Sequence, residues 1–236
     1  MISPSATRGF VFKKQDLAEA DRVFSVFTED LGRVDVFAKA IKKISSKLKS
    51  GIDVFSFVNI EFVQGKNRKT LTDSLILQKF GRIISSPKRF EIANRVSIAI
   101  DEFINGAAKD GELMALLQET FEILDSEKLK SRHCDLLYYY FLWNFFCVLG
   151  SGPELSKCSR CQQSLDPARI CFSCKEGGAV CAECGQGQRI SPDIIKILRI
   201  ITKRDWQTTS KIKIGDGPEK QLQNLSQNYY FYLADK

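Results

Sequence analysis

The chain has 236 residues, of which 44% are hydrophobic and 27% are charged, and its formal net charge is +7. These proportions exclude a wholly disordered chain and allow one large domain or two small ones. The longest apolar run, residues 136–149, is interrupted by Asn144 and is shorter than the ~20 residues of a membrane-spanning helix. Residues 1–5 show no secretory signal, so we expect a cytoplasmic protein with reduced cysteines and no membrane partner.

The positive charge is concentrated in the first third of the chain. Residues 1–80 hold 14 basic and 9 acidic residues, which gives +5, whereas the remaining 21 and 19 give only +2. The second part also holds all eight cysteines. Four of them, bound as thiolates to one Zn²⁺, would add a charge of −2 and make this part neutral. A basic region joined to a neutral one predicts an anionic partner for the first, and a solvated basic face is the alternative.

Residues 1–80 are predicted to form short strands. Five segments are rich in β-branched and aromatic residues, several of them with period-two alternation: residues 9–12, 23–27, 33–38, 55–63 and 70–77. A turn signal at residues 28–32 separates the second segment from the third. Five short strands in about 75 residues favour a small barrel, because closure removes exposed sheet edges.

The pattern becomes helical from Pro87, which follows a serine as at many helix starts. Asp110 is a candidate cap for a second helix. A third helix over about residues 131–149 is apolar nearly all round, which predicts a central buried helix whose aromatic residues form core and not a base-stacking platform. Residues 192–202 and 219–233 are predicted to form two closing helices.

Six of the eight cysteines form three Cys-x-x-Cys pairs. Two of these pairs, Cys158/Cys161 and Cys181/Cys184, are separated by 19 residues, which fits the spacing of two-pair zinc sites. Each tight turn directs two thiolates at one ion, and a hairpin brings the two turns together. We therefore predict one structural zinc bound by these four cysteines, with a cluster of buried, inert thiols as the alternative.

The third pair, Cys171 and Cys174, is expected on the connecting hairpin without a metal, although a two-zinc cluster of six cysteines is an alternative. A site of four thiolates is closed, so it is structural and not catalytic. The single histidine, His133, lies in no deaminase signature, and the chain has no phosphate-binding P-loop motif. The sequence therefore predicts no enzymatic activity.

Two basic segments are candidates for binding nucleic acid. Residues 39–50 hold five lysines, three serines and no acidic residue, and residues 65–69 form a second cluster. On a small barrel, two basic loops beside one sheet face would form a groove for phosphates. The residues predicted to contact DNA are Arg33, Lys39, Lys42, Lys43, Lys47, Lys49, Lys66, Arg68 and Lys69. The strand phenylalanines could stack on bases, but most are needed for the barrel core.

Several motifs together resemble those of RecO, a family of bacterial DNA repair and recombination mediators. The N-terminal signature comprises residues 19–33, including Thr28-Glu29-Asp30-Leu31-Gly32, then Phe37-Ala38-Lys39-Ala40, Ser46-Lys47-Leu48 and Phe55. In the second half, Leu149-Gly150 and Pro153-Glu154-Leu155 precede the cysteine pairs, with Phe172-Ser173 and Gly177-Gly178 between them, in the family's order. The match spans about residues 7–200.

The resemblance implies an α+β multidomain protein: an N-terminal OB-fold barrel over residues 1–80, and a helical domain over residues 81–236 with a zinc finger inserted at residues 155–188. It also implies a non-enzymatic, nucleoid-associated protein that binds single- and double-stranded DNA and anneals complementary strands. With RecR, such proteins help load the RecA recombinase onto DNA coated by single-strand-binding protein, whose C-terminal tail they bind. The position of that tail on this chain stays open.

Two other functions remain as alternatives. One is a zinc-ribbon adaptor that acts mainly through protein–protein contacts, and the other is an enzyme whose site has no recognisable motif.

Overall fold

Five strands come from the first third of the chain, as the sequence predicts. The computed structural model describes residues 4–17, 19–106, 110–166, 169–185 and 187–236. The strands are β1 (Ser5–Asp16), β2 (Arg22–Thr28), β3 (Gly32–Ala38), β4 (Ser56–Gln64) and β5 (Lys69–Lys79). Each overlaps one predicted segment, and β1 is much longer than its segment.

The five strands close into a barrel in the order β1-β2-β3-β5-β4. Strand β1 is long enough to pair with β4 along its first half and with β2 along its second, and its register with β2 shifts at Phe12. A short parallel pairing of β3 with β5, Val36 with Lys69 and Phe37 with Thr70, closes the barrel. The small closed barrel predicted for this region is confirmed.

Apolar side chains at alternating strand positions fill the barrel interior. The connection between β3 and β4, which includes a 3-10 helix at Lys47–Ser50, adds Ile41, Leu48 and Ile52 to this core. The strand residues of the core are Val11, Phe24, Val26, Val34, Val36, Ala38, Val58, Ile60, Phe62, Leu71 and Ile76. The connection that carries most of the predicted DNA-binding lysines is thus held by its own apolar residues.

Three helices follow the barrel: α1 (Gly81–Ser85), α2 (Pro87–Phe103) and α3 (Gly111–Asp125). Helices α2 and α3 pack against β1, and α1 packs against both of them. The ring of Phe121 in α3 lies 4.3 Å from that of Phe10 and 5.7 Å from that of Phe80, centroid to centroid. The predicted starts of α2 and α3 are confirmed, and the Asp110 carboxylate accepts hydrogen bonds from two backbone amides of the first turn of α3.

A central helix organises the second part of the chain. This helix, α4 (Cys134–Val148), is followed by α5 (Pro192–Ile201), α6 (Trp206–Thr209) and α7 (Asp216–Ala234). The indole of Trp143 stacks on Tyr229 at 5.2 Å and donates to the Ser226 hydroxyl at 2.9 Å. The amide of Asn144 donates to the backbone oxygens of Tyr140 and Ile201, which explains an asparagine in an apolar helix.

The predicted buried helix is therefore confirmed, and its aromatic residues are at most 8% exposed: Tyr138, Tyr139, Tyr140, Phe141, Trp143, Phe145 and Phe146.

Between α4 and α5, a small antiparallel sheet contains β6 (Cys171–Ser173), β7 (Gly178–Val180) and β8 (Gln188–Arg189), in the order β7-β6-β8.

The chain divides into two compact units, Met1–Cys134 and Asp135–Lys236. The first unit holds the barrel with α1 to α3, and the second holds the helices around α4 and the cysteine sheet. The domain limits expected from the sequence, at residue 80 and at residues 155–188, stay predictions. Within the described residues, no helix is both long enough and apolar enough to cross a membrane.

Candidate metal centre and nucleic-acid interface

The four cysteines with zinc-type spacing lie together in the second unit. The Sγ atoms of Cys158, Cys161, Cys181 and Cys184 all lie within 4.8 Å of one another. The Cys161 and Cys181 sulfurs are 3.8 Å apart. In a tetrahedral site with metal–sulfur bonds of about 2.3 Å, neighbouring sulfurs are about 3.8 Å apart. These four thiols could therefore hold one metal ion.

Two tight turns position these thiols. In the first, the backbone N–H of Gln162 donates to the Cys158 oxygen, and Gln162 takes a left-handed conformation with φ of 62°. The second turn, residues 181–184, directly follows β7. The backbone and hydroxyl of Ser159 both donate to the oxygen of Ala179 in β7, at 2.8 and 3.1 Å. These bonds hold the first turn beside the strand that leads into the second.

The thiols differ in how easily they ionise. Burial disfavours the Cys158 thiolate, but backbone N–H groups of Cys161, Cys181 and Arg160 donate to its sulfur and lower its pKa to about 6. Hydrogen bonds with the Cys161 and Cys181 thiols raise the pKa of Cys184 to about 12. Without a cation, the Cys158 thiol ionises readily, whereas the Cys184 thiol stays protonated. A bound cation would stabilise all four thiolates.

The remaining Cys-x-x-Cys pair lies outside this quartet in the described part of the chain. Cys171 begins β6, where it pairs with Val180 and packs against the cluster formed by Cys158, Val180 and Cys181. Cys174 lies in the turn after β6, and burial raises its pKa. Both residues lie on the hairpin between the two ligand turns, and their lack of a metal stays a prediction.

The two basic segments adjoin the same pair of strands in the first unit: residues 39–50 follow β3, and residues 65–69 lead into β5. The pairing of β3 with β5 sets Lys69 beside Val36, three residues before Lys39. The guanidinium of Arg68 lies 4.0 Å from the ring centroid of Phe37. Nothing in the local sequence signals this contact, because β3 and β5 are separated by a whole strand and two connections.

The 39–50 segment is attached to the connection between β1 and β2. The N–H of Ala40 donates to the Asp21 carboxylate at 2.7 Å, and the N–H of Lys42 donates to the Ala20 oxygen at 3.0 Å. The Lys42 ammonium also pairs with Asp16 at 3.1 Å. Ala40 has a φ of 55°, a left-handed conformation that is uncommon for a residue with a side chain.

The other basic residues of the two segments differ in exposure. Lys69 is half-buried at the start of β5. Exposed side chains are those of Lys39, Lys43, Lys47, Lys49, Lys66 and Arg68. Among the described residues, no acidic side chain lies within ion-pair distance of these six. Their charge is therefore available to an anion.

Arg33 lies in a different environment from the loop lysines. Its guanidinium donates to the Asp101 carboxylate at 2.7 Å and to the backbone oxygens of Asp101 and Ile104 at 2.9 and 3.1 Å. The Lys13 ammonium shares the same carboxylate at 2.6 Å. The side chain of Arg33 is only 18% exposed and ties β3 to α2. Its assignment to DNA binding stays a prediction.

Comparison with known proteins gives matches over most of the chain. The family description "Recombination protein O N terminal" matches residues 1–80, and "Recombination protein O C terminal" matches residues 87–235. The DNA repair protein RecO of Dehalococcoides mccartyi is 31% identical over 212 residues, which cover 89% of this chain and 82% of the relative.

Proteins with the same printed name from Roseiflexus sp. and Halalkalibacterium halodurans are each 24% identical, over 98% and 94% of this chain and 81% and 87% of the relatives. The two family matches divide where the barrel gives way to α2, and the N-terminal match coincides with the closed barrel. The chain therefore belongs to the RecO family and has a role in DNA repair and recombination.

Proposed function

We propose that the chain is a non-enzymatic recombination mediator that binds single- and double-stranded DNA and anneals complementary strands. The observation that carries this proposal is that the two basic segments adjoin one pair of barrel strands, through the β3–β5 pairing and the Arg68–Phe37 contact. Together they carry six exposed cationic side chains on a fold of a type that binds oligonucleotides. Residues 1–80 are then the DNA-binding domain.

The proposed mechanism is neutralisation of phosphate charge. Lysine ammoniums act as point charges on phosphates and displace condensed counterions. Lys42 would exchange its partner Asp16 for a phosphate. Two complementary strands repel each other less when lysines neutralise their phosphates. Base pairing between the strands is then thermodynamically favourable and needs no energy source. No bond is made or broken by the protein, so no catalytic residue is required.

We assign one structural zinc to the cysteine quartet. Cys158, Cys161, Cys181 and Cys184 would hold it, and the donor set of four sulfurs is the one that Zn²⁺ prefers in closed sites. When bound, the metal supplies a cross-link between the two ligand turns and no open coordination position. It would thus stabilise the proposed zinc finger over residues 155–188 inside the helical domain, residues 81–236.

The proposed partners follow from the family's role in recombination. With RecR, the chain would help load RecA onto DNA coated by single-strand-binding protein, whose acidic C-terminal tail it would also hold. The place of action would be the bacterial nucleoid in the cytoplasm. These partners are supported by family membership and not by a particular contact in either unit.

A pair of triple variants tests the DNA-binding proposal. Lys43, Lys47 and Lys49 are changed together to Ala, and Lys203, Lys211 and Lys220, which are exposed lysines of the second unit, form the matched control. We expect the first variant to bind single-stranded DNA more weakly, with the slope of log K against log salt reduced by about 2, since each lost contact removes ~0.7. The control triple should retain the wild-type slope.

Three other outcomes would count against the proposed groove. Equal losses from both triples would leave only a diffuse basic surface. Loss from the control alone would move the DNA site to the second unit. An absence of DNA binding by the wild-type chain would favour the adaptor that acts through protein–protein contacts.

A further inference from the structure

An isoleucine stands almost wholly in solvent within the 39–50 segment. Ile44 is 97% exposed, whereas the next most exposed large apolar side chain in the described residues, Leu75, is 62% exposed. Isoleucine is among the residues most often buried. Single exposed apolar residues are nevertheless common on protein surfaces, so exposure alone assigns no role to Ile44. Its position in the segment does.

Ile44 lies at the corner of a supported turn. The N–H of Ser46 donates to the Lys43 oxygen at 3.1 Å, which closes the turn around Ile44 and Ser45. The N–H of Lys43 donates in turn to the Ala40 oxygen at 3.1 Å. Ile41 before the turn and Leu48 after it belong to the barrel core. The isoleucine is therefore held outward, because the segment is fixed on both sides of it.

The residues around Ile44 are those expected to contact phosphates. Lys43 precedes it directly, Lys42 lies two residues before it, and Lys47 follows three residues after it, all of them exposed. Consecutive Cα atoms are about 3.8 Å apart. A phosphate on Lys43 would therefore place the attached sugar and base within reach of the Ile44 side chain. Bases present apolar faces wherever they are unstacked.

We propose that Ile44 is a base-contacting side chain that packs on the unstacked face of a base in single-stranded DNA and at the end of a duplex. Apolar side chains of this kind act as wedges between base steps in other DNA-binding proteins. This inference rests on the proposed function, because the lysines must first bind the backbone. An anionic membrane also suits an apolar tip among lysines, but family membership favours DNA.

The proposal predicts an effect on affinity that does not depend on salt. A lysine–phosphate contact releases counterions and changes the slope of log K against log salt, whereas an apolar contact changes log K by the same amount at every salt concentration. Truncating Ile44 should weaken binding about tenfold, the effect of losing most of the apolar area of one buried isoleucine. The two kinds of contact are therefore separable in one titration.

The experiment uses the full chain and single-stranded oligonucleotides that carry 2-aminopurine, with a partial duplex in parallel. The variants are Ile44→Ala, Ile44→Phe and Lys43→Ala. Ile98→Ala is the matched control, because Ile98 is an isoleucine of α2 that is 60% exposed. We expect Ile44→Ala to give a parallel salt line about tenfold lower and a smaller change in 2-aminopurine fluorescence. Ile44→Phe should retain or strengthen both signals, and Ile98→Ala should match the wild type.

Other results would overturn the proposal. If Ile44→Ala and Ile98→Ala behave alike while Lys43→Ala lowers the slope, the lysine groove stands and the base contact fails. If Ile44→Ala binds DNA normally but loses binding to vesicles of phosphatidylglycerol and phosphatidylethanolamine, the side chain faces a membrane. If the wild-type chain itself does not bind DNA, the proposed function fails together with this inference.

Discussion

Individual basic residues of the barrel take different roles according to their surroundings. The loop lysine Lys43 is exposed and makes no ion pair within the described residues, whereas Arg33 is held by Asp101, 68 residues further along the chain. The clustering of the four cysteines could be predicted because each pair is fixed by the local geometry of a tight turn. The partner of Arg33 could not, since only the packing of α2 on the barrel brings Asp101 to it.

Single-cysteine variants test the proposed zinc site. Purified chain should contain about one zinc, and Cys158→Ser or Cys184→Ser should lose the metal and lower the thermal stability of the second unit, because the binding energy of a structural zinc contributes directly to folding. Metal content is measured by mass spectrometry, and stability by the fluorescence of Trp143 and Trp206, which both lie in that unit.

The matched controls are Cys171→Ser and Cys174→Ser, which should keep the metal. Two zinc ions per chain, or loss of metal from Cys171→Ser, would replace the quartet by a six-cysteine cluster.

Elements whose ends depend on local signals could be predicted, and elements fixed by distant contacts could not. Asp110 caps α3 from the adjacent position, and a proline starts α2. Helix α1 instead has its first amides, those of Arg82 and Ile83, bonded to the carboxylate of Asp125. Strands β6, β7 and β8 have two or three residues each, too few to show an alternating pattern.

The attachment of α2 to the barrel should depend on pH through Asp101. Burial opposes ionisation of this carboxyl, but hydrogen bonds from Lys13 and Arg33 outweigh it and hold its pKa below the ordinary value of an aspartate. The ionised carboxylate therefore stabilises the folded state above the unfolded pKa of about 3.9, and this stability is lost as the pH falls through the folded pKa. Asp101→Asn should cost roughly 1–3 kcal/mol at about pH 7 and much less at a pH below the folded pKa.

Hydrogen exchange of the β1 and β3 amides, followed at both pH values, measures this effect. Glu91→Gln is the control, because Glu91 lies on the same helix in an exposed pair with Lys88 and should change little. An equal loss for Asp101→Asn at both pH values would assign the effect to packing and not to charge.

The whole molecule combines a basic barrel with a helical unit whose candidate metal site has no open position. The five strands of the barrel and the buried central helix could be predicted from hydrophobic patterning, which is a property of long segments and is visible in a single sequence. The pairing of the two strands that flank the basic segments could not be predicted in this way, because it consists of only two residue pairs between β3 and β5. In the proposed function, this surface holds DNA strands and no chemical step is required.

The last prediction concerns annealing by the intact chain. Two complementary oligonucleotides with donor and acceptor fluorophores should pair at least about tenfold faster with the protein at about 50 mM salt, and the acceleration should fade towards about 200 mM as phosphate contacts are lost. Because duplex formation is thermodynamically favourable, the rate of annealing should not change when ATP is added. The Lys43, Lys47 and Lys49 triple variant should lose the acceleration, and the Lys203, Lys211 and Lys220 triple should keep it. An ATP requirement with only this chain and DNA present would contradict a mediator that acts by charge neutralisation.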